Sequence, residues 1–253
     1  MLVAIPVFER ERTVRHALST VAEMLLPHGT DILVLDDASM SFDVLGATVS
    51  AGLVCEYVRM PRRLGADDMI RHIWERFLAG QHHELLFFDS DMIANTNAAI
   101  DGLNLLHRNG GLLSLYNSTN HPGNRFGDGL LRKTVVGNAG TLWTRGLAEL
   151  ALQSTLDVAH GVDHAYCRVF SERDISILVT ERSLLQHIGI YGTNNSQFGQ
   201  LEHGAGFSPD GLAQWRAINF VYDDLMTRQK EFLAERAGRM QQVMRFFDPR
   251  CYR

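Results

Sequence analysis

Lysine is nearly missing from this sequence: Lys133 and Lys230 are the only two among 24 basic residues. With 29 acidic residues against those cations and a net charge of −5, no clustered cationic tract is available to hold nucleic acid, whose binding draws on such clusters. Nucleic acid is therefore not an expected partner. Cysteine is scarce as well. Cys55, Cys167 and Cys251 are odd in number and widely spaced, which excludes a disulfide framework or a zinc-binding spacing and fits a reducing, cytoplasmic setting. Long apolar runs are also lacking. Residues 2–7 are too short for a signal peptide, and no later stretch approaches the ~18 apolar residues of a membrane span. The expectation is a soluble chain, with peripheral contact as the furthest membrane involvement. Glycine, finally, is absent from residues 6–13, just after the first apolar run.

What is present is the composition of an ordered chain, 45% apolar and 21% charged, without biased tracts. A length of 253 residues is enough for one sizeable core. Leu2–Val7 reads as a buried strand, and 11–26 carries Val14, Leu18, Val21 and Leu25 at helical spacing. Further strands are expected at 31–35, 53–58 and 85–88, with the helical pattern Met69, Ile73, Trp74 and Phe77 between the last two. Strand and helix in alternation predict an α/β fold whose mostly parallel sheet is covered on both faces. Ligands gather at the carboxyl ends of such strands, which draws attention to residues 6–10, 36–39 and 89–91. In the second half, strands are expected at 112–116, 134–136, 140–143 and 175–179 and a helix at 161–170. Residues 118–129 and 191–211, rich in Gly, Asn, Ser and Pro, read as long loops suited to lids. The organisation predicted is one domain over 1–211, with a regular first half (1–110) and a less regular second half (111–211). A helical extension over 212–253 follows, docked on the body or on a second copy, with membrane attachment the alternative.

The chemistry centres on Asp89-Ser90-Asp91, which directly follows Leu85-Leu86-Phe87-Phe88. In an extended chain both carboxylates would turn to one side and Ser90 to the other. Paired acids attract a hard cation such as Mg²⁺ or Mn²⁺, which takes one or two carboxylates and completes its shell with substrate phosphates and water. Asp-x-Asp alone occurs in many turns.

In context the triplet says more. Val3-Ala4-Ile5-Pro6-Val7-Phe8, then Ile32-Leu33-Val34-Leu35-Asp36-Asp37-Ala38-Ser39, then Leu86-Phe87-Phe88-Asp89-Ser90-Asp91 resemble, in order and spacing, the nucleotide-sugar glycosyltransferases of the GT-A fold, the family 2 group in particular. That resemblance implies a Rossmann-like GT-A domain with a nucleotide-binding half (1–110) and an acceptor-side half (111–211), in which Pro6, Val7, Glu9 and Asp37 bind the nucleoside. Asp89, Ser90 and Asp91 would then meet ribose and the metal-diphosphate. Glu9 departs from the family's frequent Asn. Arg62-Arg63-Leu64-Gly65-Ala66-Asp67 resembles the segment passing the base and phosphates, placing Arg63 and Asp67 among donor-binding residues; Arg63 suits a bidentate grip on phosphate, or is simply a solvated loop arginine. Gly161-Val162-Asp163-His164-Ala165 resembles the acidic motif of the acceptor side, with Val162 where the family has its first acid. Asp163 is thus the candidate general base, or else an acid that charges a helix N-terminus. Gln186-His187-Ile188-Gly189 resembles the late histidine segment, implying His187 as a metal ligand beside Asp91 and Asp89, or else a core imidazole. Gly137-Asn138-Ala139-Gly140 has the small residues that let backbone approach a sugar, which a tight turn also requires.

The function expected is Mn²⁺- or Mg²⁺-dependent transfer of a sugar, with inversion, from a nucleotide-sugar donor, UDP-linked by preference, to a glycan, lipid-linked or small acceptor. Three alternatives stand beside it: a retaining transferase, a sugar-nucleotide nucleotidyltransferase, and a non-catalytic nucleotide- or glycan-binding module. The second usually has a glycine-rich loop after its first strand, which residues 6–13 lack.

Overall fold

The computed structural model describes residues 1–119, 121–189 and 203–246. In chain order come β1 (Leu2–Val7), α1 (Glu11–Glu23), β2 (Asp31–Asp36), α2 (Val44–Ser50), β3 (Glu56–Arg59), α3 (Ala66–Ala79), β4 (Glu84–Phe87), β5 (Met92–Ala94) and α4 (Ala98–Asn109). The second half adds β6 (Leu112–Ser114), β7 (Asn124–Gly127), β8 (Leu130–Lys133), β9 (Thr141–Thr144), α5 (Arg145–Thr155), α6 (Val162–Glu172), β10 (Ile177–Thr180), β11 (Leu185–His187) and α7 (Leu212–Phe246). A nine-stranded sheet runs β3-β2-β1-β4-β9-β6-β10-β8-β7, and β5 pairs with β11 in a small separate ladder. Strands β3, β2, β1 and β4 are parallel neighbours, as β6 and β10 are, while β8 and β9 run against the strands beside them.

Alternation along β1 explains how one strand feeds two cores. Val3, Ile5 and Val7 join the cluster under α1, α2 and α4, whereas Leu2 and Ala4 join the cluster under α3, α5 and α6. The second core is aromatic. Trp74, Trp143 and Tyr166 meet edge to face, with Trp143 and Tyr166 centroids 5.0 Å apart, so truncating Trp143 to Ala would cost about 3–5 kcal/mol. Pro6 in a central strand is tolerated for a specific reason. It shares the parity of Ala4, whose carbonyl faces β4 and accepts from Phe88 N at 2.9 Å, and the β1–β4 pairing ends at Ala4, so the missing N–H falls beyond that ladder.

The long helix α7 docks through its first half. Ala217 and Val221 are buried against Ile93 and Ile188, Gln214 Nε2 donates to Ala94 O at 2.7 Å, and Phe220 stacks on His16 of α1 at 4.7 Å between ring centroids. No helix among the described residues is long and apolar enough to cross a membrane.

Several sequence expectations need correction. The strand placed at 134–136 lies at Leu130–Lys133, because β8 takes its register from β10 and forms a hairpin with β7. Residues 118–129 are therefore only partly loop. Asp89-Ser90-Asp91 is not extended: Met92 N donates to Asp89 O at 3.0 Å, closing a turn, so strand alternation does not orient its carboxylates. His187 is the last residue of β11. The lid expected at 191–211 falls mostly outside the described residues.

Candidate active site

Parallel register sets Val7 beside Asp36 and Ala4 beside Phe87, so the chain leaves β1, β2 and β4 on one edge of the sheet. Residues 8–10, 37–39 and 88–91 converge there. The β1 exit is strained. Glu9 (φ 52°) and Arg10 (φ 60°) are consecutive non-glycine residues in the left-handed region, an arrangement that costs energy unless neighbours over-determine it. The neighbours do so. Glu9 N donates to Ser39 Oγ at 3.0 Å, and the Glu9 carboxylate accepts from Met40 N at 2.7 Å, Ser41 N at 3.0 Å and the Ser41 hydroxyl. Hydrogen bonds from Ser41 and Met40 hold the Glu9 carboxyl below its usual range. Glu9 thus ties the first loop to the second.

The two acids at the end of β2 have different duties. Asp36 is fully buried and accepts from Ser39 N, Tyr57 Oη and Arg59 Nη1. Asp37 accepts from Leu64 N at 2.5 Å and Gly65 N at 2.9 Å, shaping the turn before α3. That turn carries exposed Arg63, whose guanidinium lies 4.1 Å from the centre of the Phe8 ring. Asp67 reaches further. Its carboxylate accepts from Val162 N at 3.0 Å and Gly161 N at 3.3 Å, capping α6 from outside and satisfying N–H groups that a helix start leaves unpaired. Its carboxylate is spent on the helix that carries Asp163.

At the centre lies the turn after β4, with Ser90 and Asp91 buried and Asp89 half-buried. The β5–β11 ladder sets His187 opposite Met92, and Ile188 N donates to Asp91 O at 2.7 Å. Consequently His187 Nε2 lies 3.1 Å from Asp91 Oδ2, the oxygen that also accepts from Arg10 Nη1 at 2.7 Å. A Cβ at position 189 would collide with the Asp91 carboxylate, so Gly189 is required there. Burial opposes ionisation of Asp91, but His187 and Arg10 outweigh it and hold the carboxyl well below the ordinary range. Asp89 goes the other way, pushed up to about 7 by burial and by the charge on Asp91, with Asp163 adding to the rise. Two carboxyls one residue apart are thereby separated in acidity.

Asp163 stands half-buried in the first turn of α6. Its field is felt by Asp89 and by the buried Tyr166 phenol, which itself feels Asp89 and is raised well above its ordinary value, by burial first. Tyr166 Oη donates to Val136 O at 3.5 Å, linking α6 to residues 136–140.

As to metal, no three His, Cys, Asp or Glu side chains among the described residues converge as a complete ligand group. The residues that could contribute to a cation site are the buried Asp91 carboxylate and the His187 imidazole 3.1 Å from it, types that suit a hard divalent cation, with Arg10 at 2.7 Å on the same oxygen.

The residues named from sequence thus separate. Pro6, Val7, Asp89, Ser90, Asp91 and His187 lie around the β1 and β4 exits, and Asp163 is electrostatically in reach. Glu9, Asp37 and Asp67 have their carboxylates on backbone N–H groups, and Arg63 stacks on Phe8. Arg10, Gly189, Tyr166 and the capping role of Asp67 were not singled out. Arg10 alone left a local signal, as a cation three residues past the first strand.

No protein-family model and no curated protein sequence matches this chain. Solved structures do. The chain is similar to S. aureus TarS 1–349 in complex with UDP-GlcNAc, with a TM-score of 0.54 at 14% identity over 78% of this chain and 59% of that one. It is also similar to the mannosyltransferase PcManGT from Pyrobaculum calidifontis in complex with GDP-Man and Mn²⁺, with a TM-score of 0.52 at 12% identity over 72% and 56% of the two chains. It spans less than two thirds of the length of either. What these likenesses establish is the fold, which is the GT-A-like fold of nucleotide-sugar glycosyltransferases.

Proposed function

We propose that this chain is a divalent-metal-dependent glycosyltransferase that moves a sugar from a nucleotide-sugar donor to an acceptor hydroxyl with inversion. The observation that carries the reading is geometric: Arg10 Nη1 at 2.7 Å and His187 Nε2 at 3.1 Å meet on Asp91 Oδ2, so the exits of β1 and β4 and the end of β11 converge on one buried carboxylate in a GT-A-like fold.

In this reading Asp91 and His187 hold Mn²⁺ or Mg²⁺, which when bound offsets the diphosphate charge and stabilises the leaving nucleoside diphosphate. Asp89, beside the cation rather than in its shell, suits a hydrogen bond with a ribose hydroxyl. Pro6 and Val7 floor the nucleoside, with Arg63 on Phe8 at its rim. The Asp163 carboxylate takes the proton of the acceptor hydroxyl as its oxygen bonds to the anomeric carbon. The bond from that carbon to the diphosphate oxygen breaks, and the electron pair leaves on the nucleoside diphosphate. The acceptor class is a glycan, a lipid-linked sugar or a small hydroxyl compound.

The test is thermal stabilisation by UDP, UDP-GlcNAc, GDP and GDP-mannose, each with and without Mn²⁺. Stabilisation should require the metal and vanish in Asp91→Asn, because diphosphate and carboxylate repel until a cation joins them. Equal stabilisation in excess chelator would sink the metal-dependent reading.

A further inference from the structure

Helix α7 commits only one of its faces to the fold. A helix turns about 100° per residue, so Ala213, Gln214, Ala217 and Val221 share a face, and all four are buried where α7 packs on Ile93, Ala94 and Ile188. The opposite face is apolar too. Leu212, Trp215, Tyr222, Met226 and Leu233 fall within about 80° of one another there, and each is between 38% and 62% exposed. Asn219 and Gln229 lie in the same stripe, polar interruptions of the kind that fix register where helices pair. An apolar stripe left in water marks a surface for contact.

Past the docked segment the helix is wet on almost every side. Each described side chain from Met226 to Ala237 except Arg228 is exposed, although α7 runs on to Phe246. Helices draw most of their stability from packing, so such a rod needs a neighbour. The charges beside the stripe indicate which one. Arg216, Asp223 and Lys230, all exposed, follow one another at intervals of seven along one flank and alternate in sign. Antiparallel helices related by a two-fold axis set like flanks against each other. With the axis near Met226 and Thr227, Asp223 meets Lys230 of the partner subunit, the same pair forms again by symmetry, and Tyr222 covers the partner subunit's Leu233. A parallel pair would instead bring this flank against Ile218 and Leu225, which offer no charge. A lipid surface would leave Asp223 facing anionic headgroups.

We propose that the outer face of α7 pairs with the same face of a second copy of this chain, as an antiparallel two-helix seam that closes a two-fold symmetric dimer. Covering the stripe on both copies removes roughly 1,000 Å² from water, near the least that a specific interface requires. The dimer therefore dissociates on dilution.

The experiment is sedimentation equilibrium of the full chain from low micromolar to near-millimolar concentration. Wild type should follow a reversible equilibrium between monomer and dimer. Leu233→Glu and Tyr222→Glu should each raise the dissociation constant roughly tenfold or more, because each buries a carboxylate in the seam. At dilutions where wild type is monomeric, both variants should melt at its temperature. Asp223→Lys and Lys230→Asp should each weaken the dimer several-fold, and the double variant carrying both changes should regain wild-type affinity. A wild type that stays monomeric at every concentration overturns the proposal, whether or not it binds vesicles of phosphatidylglycerol. So does assembly beyond two copies, or a dimer indifferent to both stripe variants. Lower melting of both Glu variants as monomers would make the stripe part of the chain's own fold, which likewise overturns it. A dimer that the single charge variants leave unchanged, or that the double variant fails to restore, removes the antiparallel seam.

Discussion

Arg10 Nη1 lies 2.7 Å from Asp91 Oδ2 and supplies the cation that this buried carboxylate faces from the end of β1. The pair exists because α1 begins from a left-handed residue: with Arg10 at φ 60°, the chain turns sharply and the side chain returns across the sheet edge to the turn after β4. Arg10 relieves in part the repulsion between Asp89 and Asp91.

Arg10→Gln should therefore lower the Tm of metal-free protein, by an amount equivalent to about 1 kcal/mol. The Arg10 side chain is 35% exposed, so solvent screening keeps the pair well below a fully buried one. Added Mn²⁺ should recover more stability in the variant than it adds to wild type, since a second cation replaces the lost one. Thermal melts with and without metal decide the matter; matching curves for the two proteins in both buffers would dissociate Arg10 from the charge balance of the site.

Asp67 separates a positioning role from a donor-binding one. Its carboxylate caps α6 through Val162 N and Gly161 N, so Asp67→Ala should cost about 1 kcal/mol of stability and let the first turn carrying Asp163 loosen. Turnover should fall while donor affinity stays near wild type. Asp67→Asn, which keeps an accepting oxygen, should restore much of the turnover. A rise in donor Kd with unchanged turnover would instead return Asp67 to the nucleotide, as its sequence context implied.

Much of the scaffold was legible because its signals are local. Strand β1 and the helical run Met69, Ile73, Trp74 and Phe77 follow from apolar periodicity, and α7 begins at Leu212, where the helical extension is expected to start. The elements that finish the site left no such trace. Strands β5 and β11 have three residues each, too few for alternation to show, yet their pairing is what brings His187 to Asp91. The Asp67 cap bridges 95 positions to Val162 N, and the contact of Arg10 with Asp91 bridges 81. Neither relation is a property of a sequence window. The turn at Asp89 escaped because an acidic triplet after a strand reads equally well as extended chain.

Docking of α7 should weaken in acid. His16, half-buried against Phe220, has its pKa lowered from 6.5 by burial first and by Arg12 second, while Asp224 and Arg228 of α7 lie at the same contact. The unfolded chain then binds the proton more readily than the native one, so stability is full above the ordinary imidazole value and declines as pH falls through it. Amide exchange in 212–225 should speed up at pH 5 relative to pH 7.5, and His16→Gln should flatten that difference. Equal protection of these amides at the two pH values in wild type would refute the coupling.

In the proposed reaction the general base is Asp163. It sits in the first turn of a helix whose N-terminus is held by Asp67, and its field reaches Asp89 at the donor side. A general base acts on the barrier and not on donor binding. Asp163→Asn should accordingly keep donor affinity and metal dependence near wild type while lowering turnover by roughly 10²-fold or more. If the variant instead loses stability with little change in turnover per folded molecule, Asp163 merely charges the helix start, where acids are favoured in any case. Product stereochemistry gives an independent decision. An inverted anomeric centre supports single displacement with the carboxylate as base, whereas retention would reject the inverting assignment whatever the variant does.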